Sequence, residues 1–224
     1  MIMERILCII IGYVFGLFQT GYILGRLRGV DIRSRGSGNS GTTNALRVMG
    51  VRAGLEVFVG DVFKLFAAAF VTHMIFAPGK WHDPYSMILI LYTAIGTVLG
   101  HNYPFYLSFK GGKGIAVTAA LVLLFGDVRI ILPCLAAFIG AVLITGYVSL
   151  GSLLVVSLFV ILWAALGMTG NLPLSGAYFT ESMVVILLWA ALAFWRHRTN
   201  IVRLLSGTEN KLSLHKRAKE EENV

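Results

Sequence analysis

The chain has 224 residues, of which 57% are hydrophobic and only 13% charged, with a mean hydropathy of +0.78. A soluble domain carries roughly 25% charged and about 45–50% apolar residues, so disorder and a water-soluble single core are both excluded. The excess of 19 Lys and Arg over 11 Asp and Glu, a formal +8, would point to nucleic acid in a soluble protein; here the positive-inside bias of membrane proteins accounts for it, and no nucleic-acid partner is expected.

Apolar segments fall near 6–25, 54–77, 85–101, 115–126, 130–146, 150–168 and 182–195. Most approach the ~20 residues that cross a bilayer, and the fourth is about half a span. The expected fold is an all-α polytopic membrane protein of about seven transmembrane helices, with five spans and two re-entrant pieces as the alternative. The segments after the first and third spans and after the last hold 15 of the 19 basic residues, while Arg5, Lys80 and Arg129 lie on the other side. That asymmetry places the N-terminus outside and the C-terminus in the cytoplasm. Residues 1–211 read as one integral membrane domain, and 212–224 as a charged, disordered tail. Cys8 and Cys134 lie inside apolar runs and read as small buried hydrophobes. No small-residue cleavage site follows the first run, so it reads as a retained span.

Every connection rich in Gly, Ser, Thr, Asn or His falls on the cytoplasmic face under this count. The first cluster is Gly36 to Asn44, with Gly38, Asn39, Gly41 and Thr42 inside it, followed by Arg47. Its glycines allow close backbone approach to a ligand, Thr42, Thr43 or Asn44 can cap a helix running into the second span, and a helix N-terminus suits an anion. Asn44 and Arg47, three apart, share a face. Within the second span, Asp61 and Lys64 are also three apart and read as a structural ion pair.

The second cluster runs from Gly100, His101 and Asn102 to Lys110, Gly111, Gly112, Lys113 and Gly114. Two lysines beside backbone amides make an anion cradle, although Gly114 stands where a Walker A loop has Ser or Thr. His101 reads either as an interfacial hydrogen-bonding residue or as part of that cradle. Ser149 lies in the short joint after the fifth span. The third cluster opens as the seventh span ends: His197 and Asn200 share a face, Arg196 and Arg198 read as positive-inside markers, and Leu204 and Leu205 read as buried before the turn that precedes Glu209.

Together these clusters resemble the acyl-phosphate:glycerol-3-phosphate acyltransferase (PlsY) family of bacterial membranes. The likeness is carried by Gly36 to Gly50, Gly100 to Ala116 and His197 to Lys211, in order and over essentially the whole chain. Three positions depart from the family's pattern: Ser40 and Thr42 stand where an aliphatic residue and Ala are usual, and Thr199 where Glu is usual. The resemblance implies transfer of a fatty acyl group from acyl phosphate to the 1-hydroxyl of glycerol 3-phosphate, giving lysophosphatidate and phosphate. It assigns Ser37, Arg47, Lys110, His197 and Asn200 to catalysis and glycerol 3-phosphate binding. Gly38, Asn39, Gly41, Thr42, Asn44, His101, Gly111, Gly112, Lys113 and Ser149 line the substrates, with Lys110 and Lys113 competing for the key role; Glu209 joins Asp61 and Lys64 as structural. No cofactor and no metal are expected. The implied partners are the two substrates, membrane lipid and an enzyme that supplies acyl phosphate, in a bacterial inner membrane with the site facing the cytoplasm. The strongest other class is a small transporter or channel for a phosphorylated anion, which needs polar groups at the midplane; most of these spans lack them.

Overall fold

The structure, a computed structural model, describes residues 2–81 and 83–212. Apart from Leu212, the tail assigned to 212–224 lies outside the described residues. Ten α-helices follow one another among the described residues: α1 (Ile2–Gly16), α2 (Thr20–Leu27), α3 (Thr42–Met49), α4 (Val51–Phe76), α5 (Pro84–Asn102), α6 (Ile115–Phe125), α7 (Val128–Thr145), α8 (Val148–Met168), α9 (Gly176–Arg196) and α10 (Arg198–Leu205). No strand occurs among the described residues.

Each of the seven apolar segments is helical over most of its length. Among the described residues, five stretches are long and apolar enough to cross a membrane by length and composition: Ile2–Leu27, Pro84–Leu107, Val128–Thr145, Val148–Met168 and Gly176–Arg196. The fourth apolar segment is α6, 11 residues long and already noted as short. The second is α4, at 26 residues the longest single helix, with Arg52, Glu56, Asp61 and Lys64 along it. Large apolar side chains such as Phe63, Leu143, Ile144 and Leu188 point outward from the bundle, as lipid-facing residues of a multi-pass membrane protein do.

The first span is not one continuous helix. It breaks at residues 17–19, between α1 and α2, and the freed carbonyls there need donors because a bilayer supplies none. Each finds one: Gln19 Nε2 donates to Gly16 O at 3.1 Å, Tyr106 Oη to Leu17 O at 2.6 Å, and Lys64 Nζ to Phe18 O at 3.2 Å.

Close packing of α1 on α5 brings this break to the end of α5. The two helices carry matched Gly-x-x-x-Gly pairs, Gly12/Gly16 and Gly96/Gly100. A Cβ at Gly12, Gly96, Gly100 or Gly16 would lie 1.9, 2.1, 2.2 or 2.3 Å from a carbonyl oxygen of the facing helix. Small residues let backbones approach in this way where no hydrophobic effect drives helices together. The consequence for the site is direct: Gln19 reaches Gly100 O and His101 O at 3.3 and 3.0 Å.

Apolar side chains of α4–α9 form the main core, with Leu91, Leu121, Ile130, Phe159, Trp163 and Ile186 essentially inaccessible. Buried tryptophans keep their N–H groups paired, Trp163 Nε1 with Ser182 Oγ at 3.0 Å and Trp189 Nε1 with Thr118 Oγ1 at 3.1 Å. Cys8 and Cys134 are buried and unbridged. The end of the bundle away from the Gly-rich loops is tied by Arg5 to Glu181, Tyr85 to Glu4, and Arg129 to Asp127 and Asn171.

Candidate active site

Three loops and the ends of five helices meet around a cavity of about 490 Å³. Its polar end is lined by Ser37, Asn39, Gly41, Thr42, Asn44, Arg47, Asp61, His101, Lys113, Ser149, His197, Asn200, Arg203 and Glu209. Its other end is apolar, walled by Ala116, Ala119 and Val122 of α6, Ile131, Leu135 and Phe138 of α7, and Val155 of α8.

Asn44, fully buried, staples the first loop. Its Oδ1 accepts from Ser37 N at 2.8 Å and its Nδ2 donates to Ile32 O and Arg35 O, both at 3.0 Å. Asn39 turns the chain by accepting from Gly41 N at 2.9 Å, and its Nδ2 reaches Gly111 O in the second loop at 3.2 Å. The expected side-chain cap is absent. Gly41 is the N-cap of α3 without a side-chain hydrogen bond, because Asn44 is committed to the loop and Thr42 Oγ1 is buried without a protein partner. Nor does this helix run into the second span; it stops at Gly50, whose φ of 92° is left-handed.

The second loop folds back onto the end of α5, with Gly111 N donating to Asn102 O at 3.1 Å and Gly112 N to His101 O at 3.0 Å. Glycine is required at both positions: a Cβ on Gly111 would sit 2.0 Å from His101 O, and one on Gly112 1.9 Å from His101 Nε2. Arg196 clamps the same loop, donating to Gly111 O at 3.0 Å and to Gly112 O at 2.7 Å, with its guanidinium over the Tyr103 ring. Arg196 is therefore more than the positive-inside marker its position suggests. Its only signal was its place directly before His197.

Two consecutive left-handed residues, Ser108 (φ 54°) and Phe109 (φ 58°), lead into Lys110, and Gly111 and Gly112 separate it from Lys113. Lys110 is exposed and does not line the cavity, whereas Lys113 does. Gly38, Gly111, Gly112 and Lys64 do not line the cavity either. Lys113 Nζ donates to Asn200 Oδ1, Asn200 Nδ2 to Glu209 Oε1 at 2.9 Å, and Arg203 Nε to Glu209 Oε2 at 2.8 Å. Burial pulls the Lys113 ammonium down to about 8; Glu209 opposes this, and Arg203, Arg196 and Arg47 add to it. Burial also works against the Glu209 carboxylate, but hydrogen bonds from Arg203 and Asn200 prevail and hold it below its ordinary range.

His197 sits at the joint between α9 and α10 and is buried. Its Nδ1 lies 2.8 Å from Ala193 O. A carbonyl only accepts, so Nδ1 carries the proton and Nε2 is left with its lone pair. Burial pushes this imidazole down to about 4, with Lys113 and Arg196 contributing. Leu205 departs from expectation: it is 86% exposed, since α10 is too short to cover both faces.

Deeper in the wall, Lys64 Nζ pairs with Asp61 Oδ1 at 2.8 Å, as the three-residue spacing predicts, and also lies 2.6 Å from His101 Nδ1. The acidic groups at the cavity are thus matched, Asp61 by Lys64 and Glu209 by Arg203, while Arg47 makes no protein hydrogen bond among the described residues. Arg47 and Lys113 are surplus positive charge. Thr42 Oγ1 and Ser149 Oγ are buried on the wall without a protein partner, which is rare for buried polar atoms outside ligand sites. An end with two surplus cations and idle hydroxyls suits phosphoryl oxygens; the apolar arm suits an alkyl chain.

Comparison with known proteins agrees with this chemistry. A family model described as glycerol-3-phosphate acyltransferase matches residues 6–207. A glycerol-3-phosphate acyltransferase of Halalkalibacterium halodurans is 39% identical over 94% of this chain and 96% of its own. One of Shouchella clausii is 41% identical over 95% and 98%. The crystal structure of PlsY (YgiH), an integral membrane glycerol 3-phosphate acyltransferase, in its glycerol 3-phosphate form superposes with a TM-score of 0.75 at 31% identity, covering 93% of this chain and 96% of that one. Its lysophosphatidic acid form gives 0.73 at 30% identity over 93% and 95%.

Proposed function

The chain belongs to the glycerol-3-phosphate acyltransferase family, and from that premise we propose that it transfers a fatty acyl group from acyl phosphate to the 1-hydroxyl of sn-glycerol 3-phosphate. The observation that carries the reading is the cavity itself, whose cationic end and apolar arm are continuous. Lysophosphatidate combines those two chemistries in one molecule. The charge asymmetry of the connections supports seven spans in a bacterial inner membrane, with the cationic end facing the cytoplasm.

Two phosphorylated substrates repel, and bringing them together needs fixed positive charge. At ~4 Å and an effective dielectric near 20, each charge pair is worth about 4 kcal/mol before desolvation. Arg47 supplies a planar, bidentate donor set and Lys113 a point charge. Lys113 takes this part rather than Lys110, since it is the lysine on the wall. Ser37, Thr42, Ser149 and Asn200 orient the bound groups, and Asn39, Asn44, Gly111 and Gly112 hold the loops in shape.

The 1-hydroxyl oxygen forms the new ester bond to the acyl carbon as the bond from that carbon to the phosphate oxygen breaks. The electron pair leaves with phosphate, and the hydroxyl proton goes to the same phosphate. An acyl phosphate is already activated, so no enzyme nucleophile is needed, and alignment of the two substrates supplies much of the rate. Neither cavity histidine competes well for the proton: His197 titrates near 4, and Nδ1 of His101 is held by Lys64. The test is to mix the purified protein with palmitoyl phosphate and glycerol 3-phosphate and follow both products. Stoichiometric lysophosphatidate and phosphate are expected; efficient use of acyl-CoA as donor would contradict the donor assignment.

A further inference from the structure

The reaction proposed above leaves unexplained a fully buried charge pair, Asp61 on the cavity wall and Lys64 directly behind it. Burying two charges is costly, and replacement by apolar residues is often neutral or stabilising, so their presence in a membrane bundle asks for a use. The geometry around Lys64 gives one. An ammonium has three hydrogens and no acceptor, and three acceptors surround it: Asp61 Oδ1 at 2.8 Å, Phe18 O at 3.2 Å and His101 Nδ1 at 2.6 Å. Asp61 is itself oriented by Thr20 Oγ1 at 3.2 Å. Nδ1 of His101 therefore accepts, and its proton resides on Nε2. That nitrogen has no protein hydrogen-bond partner among the described residues, although His101 lines the cavity and its Nε2 edge lies against Gly112. The backbone is pinned as firmly as the ring, because His101 O accepts from both Gln19 Nε2 and Gly112 N.

We propose that Lys64 and Asp61 are positioning residues that fix the tautomer of His101, so that its Nε2–H is a preset hydrogen-bond donor to a phosphoryl oxygen of bound substrate and never a proton acceptor. A preset donor needs no reorganisation when charge builds on the leaving phosphate. The proposal rests on the cavity being the phosphoryl site, and its test has one arm that needs no substrate.

That arm is the nitrogen spectrum of the whole protein, with histidine labelled by ¹⁵N, in lipid nanodiscs at neutral pH. The His101 signals are assigned by their loss in His101→Gln. The expected result is a proton on Nε2 and a hydrogen-bonded lone pair on Nδ1, lost in the double variant Asp61→Asn/Lys64→Met, which removes both charges together. The kinetic arm uses His101→Gln, whose amide nitrogen falls near the Nε2 position. It should turn over at least tenfold faster than His101→Ala. Adding Asp61→Asn/Lys64→Met to His101→Ala should cost less than threefold further, although the same pair alone costs tenfold or more, because both act through one donor. An imidazolium or an Nδ1–H tautomer in the wild type overturns the proposal, as does a His101→Gln enzyme no faster than His101→Ala. Should acyl phosphate prove not to be a substrate, the spectrum still decides the relay.

Discussion

Raising the pH from 7 to 9 should lower kcat/KM for glycerol 3-phosphate about tenfold, and Lys113→Arg should remove that loss. Among the described residues lining the cavity, Lys113 is the one cation placed to change charge in this range, since burial among Arg47, Arg196 and Arg203 brings it to about 8. It is charged below that value and neutral above it, so its attraction for phosphate is present at pH 7 and lost as the pH climbs. With a midpoint of 8, the charged fraction falls from about nine-tenths at pH 7 to about one-tenth at pH 9, which gives the tenfold figure. Substrate phosphate, with a second ionisation near ~6, is already dianionic across this window and adds no slope. An arginine keeps its charge throughout, so the variant's profile stays level even if its absolute rate is lower. The assay is initial-rate phosphate release in nanodiscs at fixed ionic strength, with acyl phosphate saturating. Bound phosphate should also favour the charged lysine, so the limb in kcat lies at higher pH than the limb in kcat/KM. A wild-type profile flat to pH 9, or a limb that survives in Lys113→Arg, refutes the assignment of Lys113 as the cavity's point charge.

Glu209→Ala should lower both stability and turnover, because it releases Asn200 and Arg203 together; one charge-assisted hydrogen bond alone is worth about 1.5–3 kcal/mol. Glu209→Gln, which keeps an acceptor for Asn200, should recover most of the rate, as thermal melts and rates on the same preparations will show. Arg196→Met frees the Gly111 and Gly112 carbonyls it now clamps and should cost at least tenfold in kcat/KM with the bundle still folded, judged by circular dichroism. Gly100→Val forces a side chain into the 2.2 Å space before Tyr13 O and should prevent α1 from docking, seen as loss of the monodisperse peak in size-exclusion chromatography. No limb near pH 6–7 should come from His197, since it is already neutral there; one that vanishes in His197→Asn would contradict its burial.

Much of this was legible in the chain because membrane proteins separate their signals. Apolar runs give helices, and the charge of the loops sorts them to one end, so the convergence of Gly36–Asn44, His101–Gly114 and His197–Glu209 followed from counting alone. What escaped had causes local to the backbone or distant in sequence. The break at 17–19 left no mark because its carbonyls are served by Gln19, Tyr106 and Lys64, two of them far along the chain. The choice between Lys110 and Lys113 turned on the fold-back of Gly111 and Gly112 onto the end of α5, entered through Ser108 and Phe109, neither of which advertises a left-handed conformation as glycine does. Arg196 looked like any basic residue after a span, and only the fold brings it to carbonyls 84 and 85 positions earlier. The glycine pairs on α1 and α5 were readable as a packing motif, but each half lay inside a run scanned only for hydropathy.

The most direct test of the whole account is a structure of this chain with glycerol 3-phosphate and a non-hydrolysable acyl phosphonate bound together. Both phosphoryl groups should lie within hydrogen-bonding reach of Arg47 and Lys113, and the alkyl chain should run between α6, α7 and α8. Phosphoryl groups seated outside the wall at Lys110, or an alkyl chain lodged elsewhere in the bundle, would contradict it.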